Sequence, residues 1–165
     1  YGLSHLKGEK ILNKYIKKYK IKGISLRLSN VFGKGVYENK ESNKLFANNI
    51  ILNWKKARSI KIKNNPHTIK NFLPSEFMVK YIKKLISKNY TNNLNLLNLV
   101  TEFNLSLFDF SEVVQQRIKF KFNKNISIKI NSKKKIEENK SLYSSKFIKS
   151  KCHYKVLIKE IDSFI

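Results

Sequence analysis

The chain alternates between stretches with helical spacing of apolar residues and short stretches with strand-like spacing. Leu3, Leu6, Ile11, Tyr15, Ile16 and Tyr19 recur close to one face of a helix over 3–20, with lysines on the other side and Gly23 as a stop signal. Residues 24–28 alternate apolar and polar as a strand, and 29–35 read as a glycine-punctuated loop. A helix is predicted over 43–57, with Leu45, Ile50, Ile51 and Trp54 facing inward, then a short strand over 59–63 and a turn at 64–66. Phe72 and Leu73 form a short extended piece, and Pro74 and Ser75 open a helix over 75–88. Residues 94–99 are a strand candidate. Ser106 is placed to cap a helix over 107–120, with Asp109 and Glu112 suited to its positive end. Ile126, Ile128 and Ile130 alternate as a half-buried strand, 133–138 read as a solvated charged loop, and 155–164 form a last amphipathic helix. Helices that alternate with short strands favour an α/β fold over a helical bundle.

Length and composition narrow the class. The chain has 165 residues, 41% of them hydrophobic, enough for one domain with a packed core. No apolar run reaches the ~18 residues of a membrane span. No signal-peptide pattern is visible, and the lone Cys152 excludes an internal disulfide framework. A cytoplasmic enzyme is the default expectation. Because the sequence opens at Tyr1 rather than Met, it reads as a fragment.

The formal charge of +24 invites a nucleic-acid reading. However, Arg27, Arg58 and Arg117 are the only arginines among 35 basic residues, and base and phosphate recognition favours Arg for its bidentate fork. Lys, Asn and Ile are the residues of A/T-rich codons, so coding bias accounts for much of the charge. A basic nucleic-acid module stays as an alternative. No metal site is expected, since His5, His67, His153 and Cys152 lack ligand spacing.

The candidate chemistry begins with Tyr1-Gly-Leu-Ser-His-Leu-Lys-Gly-Glu9. Positions one and five of a helix share a face, so a side chain at 5 sits beside the Tyr1 phenol. A free phenol has a pKa near ~10, too high for a base at neutral pH, and a nearby cation favours its ionised form. This segment resembles the Tyr-Gly-x-Ser-Lys-x-x-Gly-Glu helix of extended short-chain dehydrogenases, the NAD-dependent epimerase/dehydratase family. Tyr1, Gly2, Ser4, Gly8 and Glu9 match, while His5 stands where the family has Lys. Arg27, Asn30, Val31, Phe32 and Gly33 match a second segment, Leu-Arg-x-x-Asn-Val-Tyr-Gly-Pro. Residues 70–79 resemble a third, Arg-Asp-Phe-x-x-Val-x-Asp, with Lys70 for Arg, Asn71 for Asp, and Phe77 where the second acid stands. Residues 96–114 are similar to a fourth, in which a strand leads into a helix; Val100 and Glu102 replace its glycines, and packing is its expected role.

The resemblance implies an α/β fold: the C-terminal part of a Rossmann-type NAD(P)-binding fold plus a small α/β substrate-binding subdomain. Residues 1–35 and about 65–90 would belong mainly to the former, about 36–64 and 91–165 mainly to the latter. It implies Tyr1 and His5 as catalytic residues that also meet the cofactor, NAD or NADP, together with Leu28, Ser29 and Val31. It implies Asn30 and Lys70 as holders of a nucleotide-sugar substrate, in an epimerase, dehydratase or reductase of carbohydrate metabolism and polysaccharide biosynthesis, with room for a homodimer of the full-length protein. The Gly-x-x-Gly-x-x-Gly phosphate loop is not in this sequence and is expected upstream. His5, Asn71 and Phe77 also fit a catalytically degenerate relative that only binds.

Overall fold

The computed structural model describes residues 1–34, 41–87, 96–131, 143 and 151–165. Helix α1 (Gly2–Tyr19) leads to strand β1 (Ser25–Leu28) and, after one residue, β2 (Asn30–Phe32). Helix α2 (Phe46–Ala57), strands β3 (Ser59–Ile62) and β4 (Ile69–Pro74), and helix α3 (Ser75–Ser87) follow. Then come β5 (Leu96–Leu99), β6 (Asn104–Ser106), α4 (Leu107–Phe122), β7 (Ser127–Ile130) and α5 (Tyr154–Phe164). Three pairings are parallel: β1 with β5, β2 with β4, and β3 with β7; β6 joins β4 antiparallel. This is the expected α/β class. The charged run at 133–138 lies outside the described residues.

The β2–β4 ladder separates two cores, because successive side chains on a strand point to opposite faces. Phe32 and Phe72 enter one core with Trp54, Ile60, Phe110, Ile118 and Leu157; Val31 and Leu73 enter the other with Phe77, Tyr81, Leu97 and Leu99. The first is aromatic at its centre: Phe72 stacks on Phe110 at 4.0 Å between centroids, and Phe32 meets Phe110 edge-on at 5.4 Å. Fully buried side chains of this size each stabilise by about 1.5–3 kcal/mol. Local signals agree with these ends. Ser106 Oγ accepts from the Asp109 N–H at 2.9 Å while Asp109 Oδ2 accepts from the Ser106 N–H at 3.2 Å, a reciprocal cap on α4.

Several expectations are corrected. Helix α1 has no buried residue, and Leu3, Leu6, Ile11, Tyr15 and Tyr19 are exposed. Its inner face is instead the half-buried line Glu9, Leu12, Asn13 and Ile16. Gly23 is not the stop: the helix closes at Lys20 in the left-handed conformation, and Gly23 packs against Ile16 and Leu12. Leu45 is exposed rather than inward. Asn30–Phe32 forms a strand, not a loop, because β4 offers its backbone a parallel partner. For the same reason β4 runs over six residues rather than two, and β6, unmarked in the sequence, pairs on its far side.

Candidate functional site

The opening turn of α1 carries the first group of candidates. The Tyr1 and His5 rings meet edge-on, 4.4 Å between centroids with 61° between planes. Tyr1 is fully exposed. Its carbonyl accepts from Ser4 Oγ at 2.7 Å and from the His5 N–H at 3.3 Å, which fixes the turn. One turn further along the same face, Glu9 is clamped by Arg27. Arg27 Nε donates to Glu9 Oε1 at 2.8 Å and its Nη2 to Oε2 at 2.7 Å. Arg27's hydrogen bonds hold the Glu9 carboxyl below its usual range, and Glu9 in turn raises the guanidinium. The clamp fastens an otherwise exposed helix to β1.

The carboxyl end of β1 brings the next candidates. Leu28 is exposed, and the Ser29 N–H donates to the Leu99 carbonyl at 3.2 Å. Ser29 Oγ is buried yet has no hydrogen-bond partner among the described residues. Val31 is half-buried and packs against the second core. Asn30 is exposed, and its Nδ2 donates to the Asn71 carbonyl at 3.0 Å. Lys70 is half-buried on β4, opposite Leu105. The β2–β4 register pairs Asn30 with Phe72, so Asn30 and Lys70 lie on adjacent strands near one ladder end.

Two polar junctions were not foreseen. Asn71 is fully buried; its Nδ2 donates to the Thr101 carbonyl at 2.7 Å and to Asn104 Oδ1 at 3.1 Å, while its Oδ1 accepts from the Thr101 N–H at 3.0 Å. Thr101 Oγ1 then donates to the Phe72 carbonyl at 2.7 Å. The segment expected only to pack is therefore a hydrogen-bonded support for the Asn30 strand. The second junction is Glu160, buried on α5. It accepts from Ser75 Oγ at 2.7 Å and from the Glu76 N–H at 3.0 Å, at the start of α3. Gly33 abuts it with φ of +152°. The Gly33 N–H donates to Asn48 Oδ1 at 3.3 Å, which ties the chain after β2 to α2. A sequence signal for Glu160 existed: it lies on the apolar face of α5, between Leu157 and Ile161.

A cavity of about 500 Å³ opens between α2 and β3, with Phe46, Asn49, Ile50 and Asn53 on one wall and Lys61 and Lys63 on the other. Its volume falls within the ~300–1,000 Å³ of small-molecule sites.

The family model described as the NAD dependent epimerase/dehydratase family matches residues 1–95. The chain belongs to that family. No curated protein matches the chain. Solved structures share the fold. UDP-N-acetylglucosamine 4-epimerase from Bacillus cereus aligns with a TM-score of 0.73 at 16% identity, over 99% of this chain and 52% of its own. The enzyme of the same name from Methanobrevibacter ruminantium M1, in complex with UDP-N-acetylmuramic acid, gives 0.70 at 15% identity, over 94% and 49%. UDP-glucuronic acid 4-epimerase from Bacillus cereus, in complex with UDP-glucuronic acid and NAD, gives 0.59 at 16%, over 80% and 39%. The chain thus spans about half the length of the first two relatives.

A dinucleotide fits the residues present at one end only. The exposed Tyr1 phenol and the unpartnered Ser29 Oγ suit a ribose and carboxamide. The glycines at 2, 8, 23, 33 and 35 do not give the spacing of a diphosphate loop. Among the described residues no group of His, Cys, Asp and Glu could hold a metal ion, and no helix is long and apolar enough to cross a membrane.

Proposed function

We propose that this chain forms the tyrosine-bearing, substrate-holding half of an NAD(P)-dependent nucleotide-sugar epimerase, dehydratase or reductase. The observation that carries the reading is the exposed Tyr1–His5 ring pair. The Glu9–Arg27 clamp ties it to the strand that ends at Leu28 and leads into Ser29 and Asn30. In this reading the Tyr1 phenol accepts the proton of a sugar hydroxyl and His5 polarises it. The nicotinamide cofactor supplies the hydride acceptor when bound. Tyr1, His5, Leu28, Ser29 and Val31 form its nicotinamide end, and Asn30 and Lys70 hold the sugar nucleotide. The cavity between α2 and β3 suits the nucleotide, since it pairs apolar walls and amides with the lysine charge of Lys61 and Lys63. Residues 1–35 and about 65–90, joined by β5, serve the cofactor side, and the remainder mainly the substrate side.

Calorimetric titration of the chain with UDP-N-acetylglucosamine and with NAD tests this. The sugar nucleotide is expected to bind saturably, and Asn30→Ala or Lys70→Ala to weaken it about fivefold, the ~1 kcal/mol of one hydrogen bond. NAD is expected to show no saturable micromolar binding. Absence of sugar-nucleotide binding at millimolar concentration, or tight NAD binding, contradicts the proposal.

A second reading, a relative that binds without turnover, is favoured by one observation: Phe77, at the position of a family acid, is buried in the second core. His5→Lys in the full-length protein separates the two. A large gain in turnover marks an impaired enzyme, and no gain marks a binding protein.

A further inference from the structure

The carboxyl end of α4 leaves aromatic surface bare. Residues 119–125, Lys119-Phe-Lys-Phe-Asn-Lys-Asn125, are all exposed. Phe120 is 77% exposed and Phe122 37%. A single apolar side chain at a surface needs no account, but here both rings are set among cations. The Arg117 guanidinium lies 4.5 Å from the Phe120 centroid, and Lys55 Nζ and Lys121 Nζ lie 5.8 and 5.7 Å from that of Phe122. The patch is also held in shape. Phe122 leans on the buried Trp54 at 5.1 Å between centroids, Lys121 Nζ donates to the Asp162 carbonyl at 2.7 Å, and Gln115 Nε2 fixes the turn after α4 by donating to the Ile126 carbonyl at 2.6 Å. We propose that this end of α4, with Lys55 beside it, docks on the surface of an anionic lipid bilayer.

Charge is segregated at this corner of the molecule. Neither 42–75 nor 113–131 contains an Asp or Glu, although the chain has 11. The parallel β3–β7 ladder and the packing of α4 on α2 and β3 bring these two acid-free stretches together. Asp162 lies against the end of α4, and Arg117 occupies both of its carboxylate oxygens. The cations left facing outward are lysines. Reading bases and phosphates calls for the planar fork of Arg, whereas a layer of anionic headgroups asks only for positive charge near it. The rings fit the same surface. Phenylalanine enters the boundary between headgroups and acyl chains, while lysine stems lie along it and keep their ammonium groups among the headgroups. Such a contact lies on the bilayer and needs no spanning helix. It is independent of what the α2–β3 cavity holds.

Total charge alone would draw this chain to any anionic surface, and substitutions separate that from a defined face. The 165-residue chain is sedimented at physiological salt with phosphatidylcholine vesicles that contain about 30% phosphatidylglycerol, and with phosphatidylcholine vesicles alone. Saturable binding is expected with the first and at least about tenfold weaker binding with the second. Phe120→Ser, which changes no charge, is expected to weaken binding about tenfold, the scale of burying one phenylalanine ring. Lys119→Gln and Lys121→Gln are each expected to weaken it about fivefold. Lys10→Gln with Lys14→Gln, exposed on α1, removes as much charge as that pair and is expected to leave binding within about twofold. Thermal melting of each variant checks that it folds; the side chains exchanged are all exposed. No binding to the anionic vesicles, binding indifferent to Phe120→Ser, or equal losses from the α1 pair and the α4 pair overturn the proposal. So does a homopolymeric RNA that binds more tightly than the vesicles and is weakened by the same α4 substitutions, or a lipid-free dimer that Phe120→Ser dissociates, since either gives the face another occupant.

Discussion

Gly33→Ala places a methyl group in a space that two oxygen atoms already fill. A Cβ at Gly33 collides with Glu160 Oε1 and Ser75 Oγ and lies 2.8 Å from Ser75 Cβ. The backbone there, at φ of +152°, is one that only glycine adopts without strain. Two costs follow. Backbone strain at such a position amounts to about 1–3 kcal/mol. Moving Glu160 aside separates its buried carboxylate from the Ser75 hydroxyl and the Glu76 N–H, and losing charged hydrogen bonds costs about 1.5–3 kcal/mol. Together they reach roughly 3–5 kcal/mol of a total stability near ~5–15 kcal/mol. Urea unfolding measures the loss directly. With a slope of about 2 kcal/mol/M, the midpoint should drop by roughly 1.5–2.5 M. The collision also predicts coupling: in a Glu160→Ala background the same substitution should cost less, because only the strain of about 1–3 kcal/mol and the contact with Ser75 remain. A Gly33→Ala protein within ~0.5 kcal/mol of the parent, or costs that simply add in the double variant, refutes this account of the junction.

Three further outcomes are expected. Asn71→Asp sets a buried carboxylate against the Thr101 carbonyl and Asn104 Oδ1. It should cost about 2–4 kcal/mol at neutral pH by urea unfolding, less in acid where the new group is protonated. The Glu9 clamp should release in acid: a carboxyl held low contributes above its unfolded value and is lost as pH falls through its folded one. The protection of α1 amides against hydrogen exchange, relative to their intrinsic rates at each pH, should therefore fall below the ordinary carboxylate range while α4 stays protected. Burial, with Glu102 and Glu76 adding repulsion, pushes the Cys152 thiol up to about 12. Native protein at pH 8 should thus react with a disulfide reagent far more slowly than urea-unfolded protein; equal rates contradict its buried setting.

Much of the architecture was legible because it depends on local pattern. Helices α2 to α5 follow from apolar spacing, and the Ser106–Asp109 cap was visible as a pair of residue types three apart. What the sequence hid was set by distant partners. Asn30–Phe32 looks like a turn until β4 supplies hydrogen bonds from 41 residues away. The apolar residues that spacing gathers near one face of α1 are mostly exposed, because period alone does not say which face meets protein. Among the candidate site residues, Tyr1, His5 and Asn30 were singled out through motif positions. Asn71, Thr101 and Glu160 act by closing buried hydrogen bonds between remote segments, which spacing does not reveal.

The central claim, that Asn30, Lys70 and the α2–β3 cavity hold a sugar nucleotide, is tested most directly by mapping amide chemical shifts as UDP-N-acetylglucosamine is added. Shifts that saturate together at β2, at β4 around Lys70, and at Asn49, Asn53, Lys61 and Lys63 are expected. Shifts scattered over the lysine-rich surface and abolished by moderate salt, or no shifts at all, contradict it.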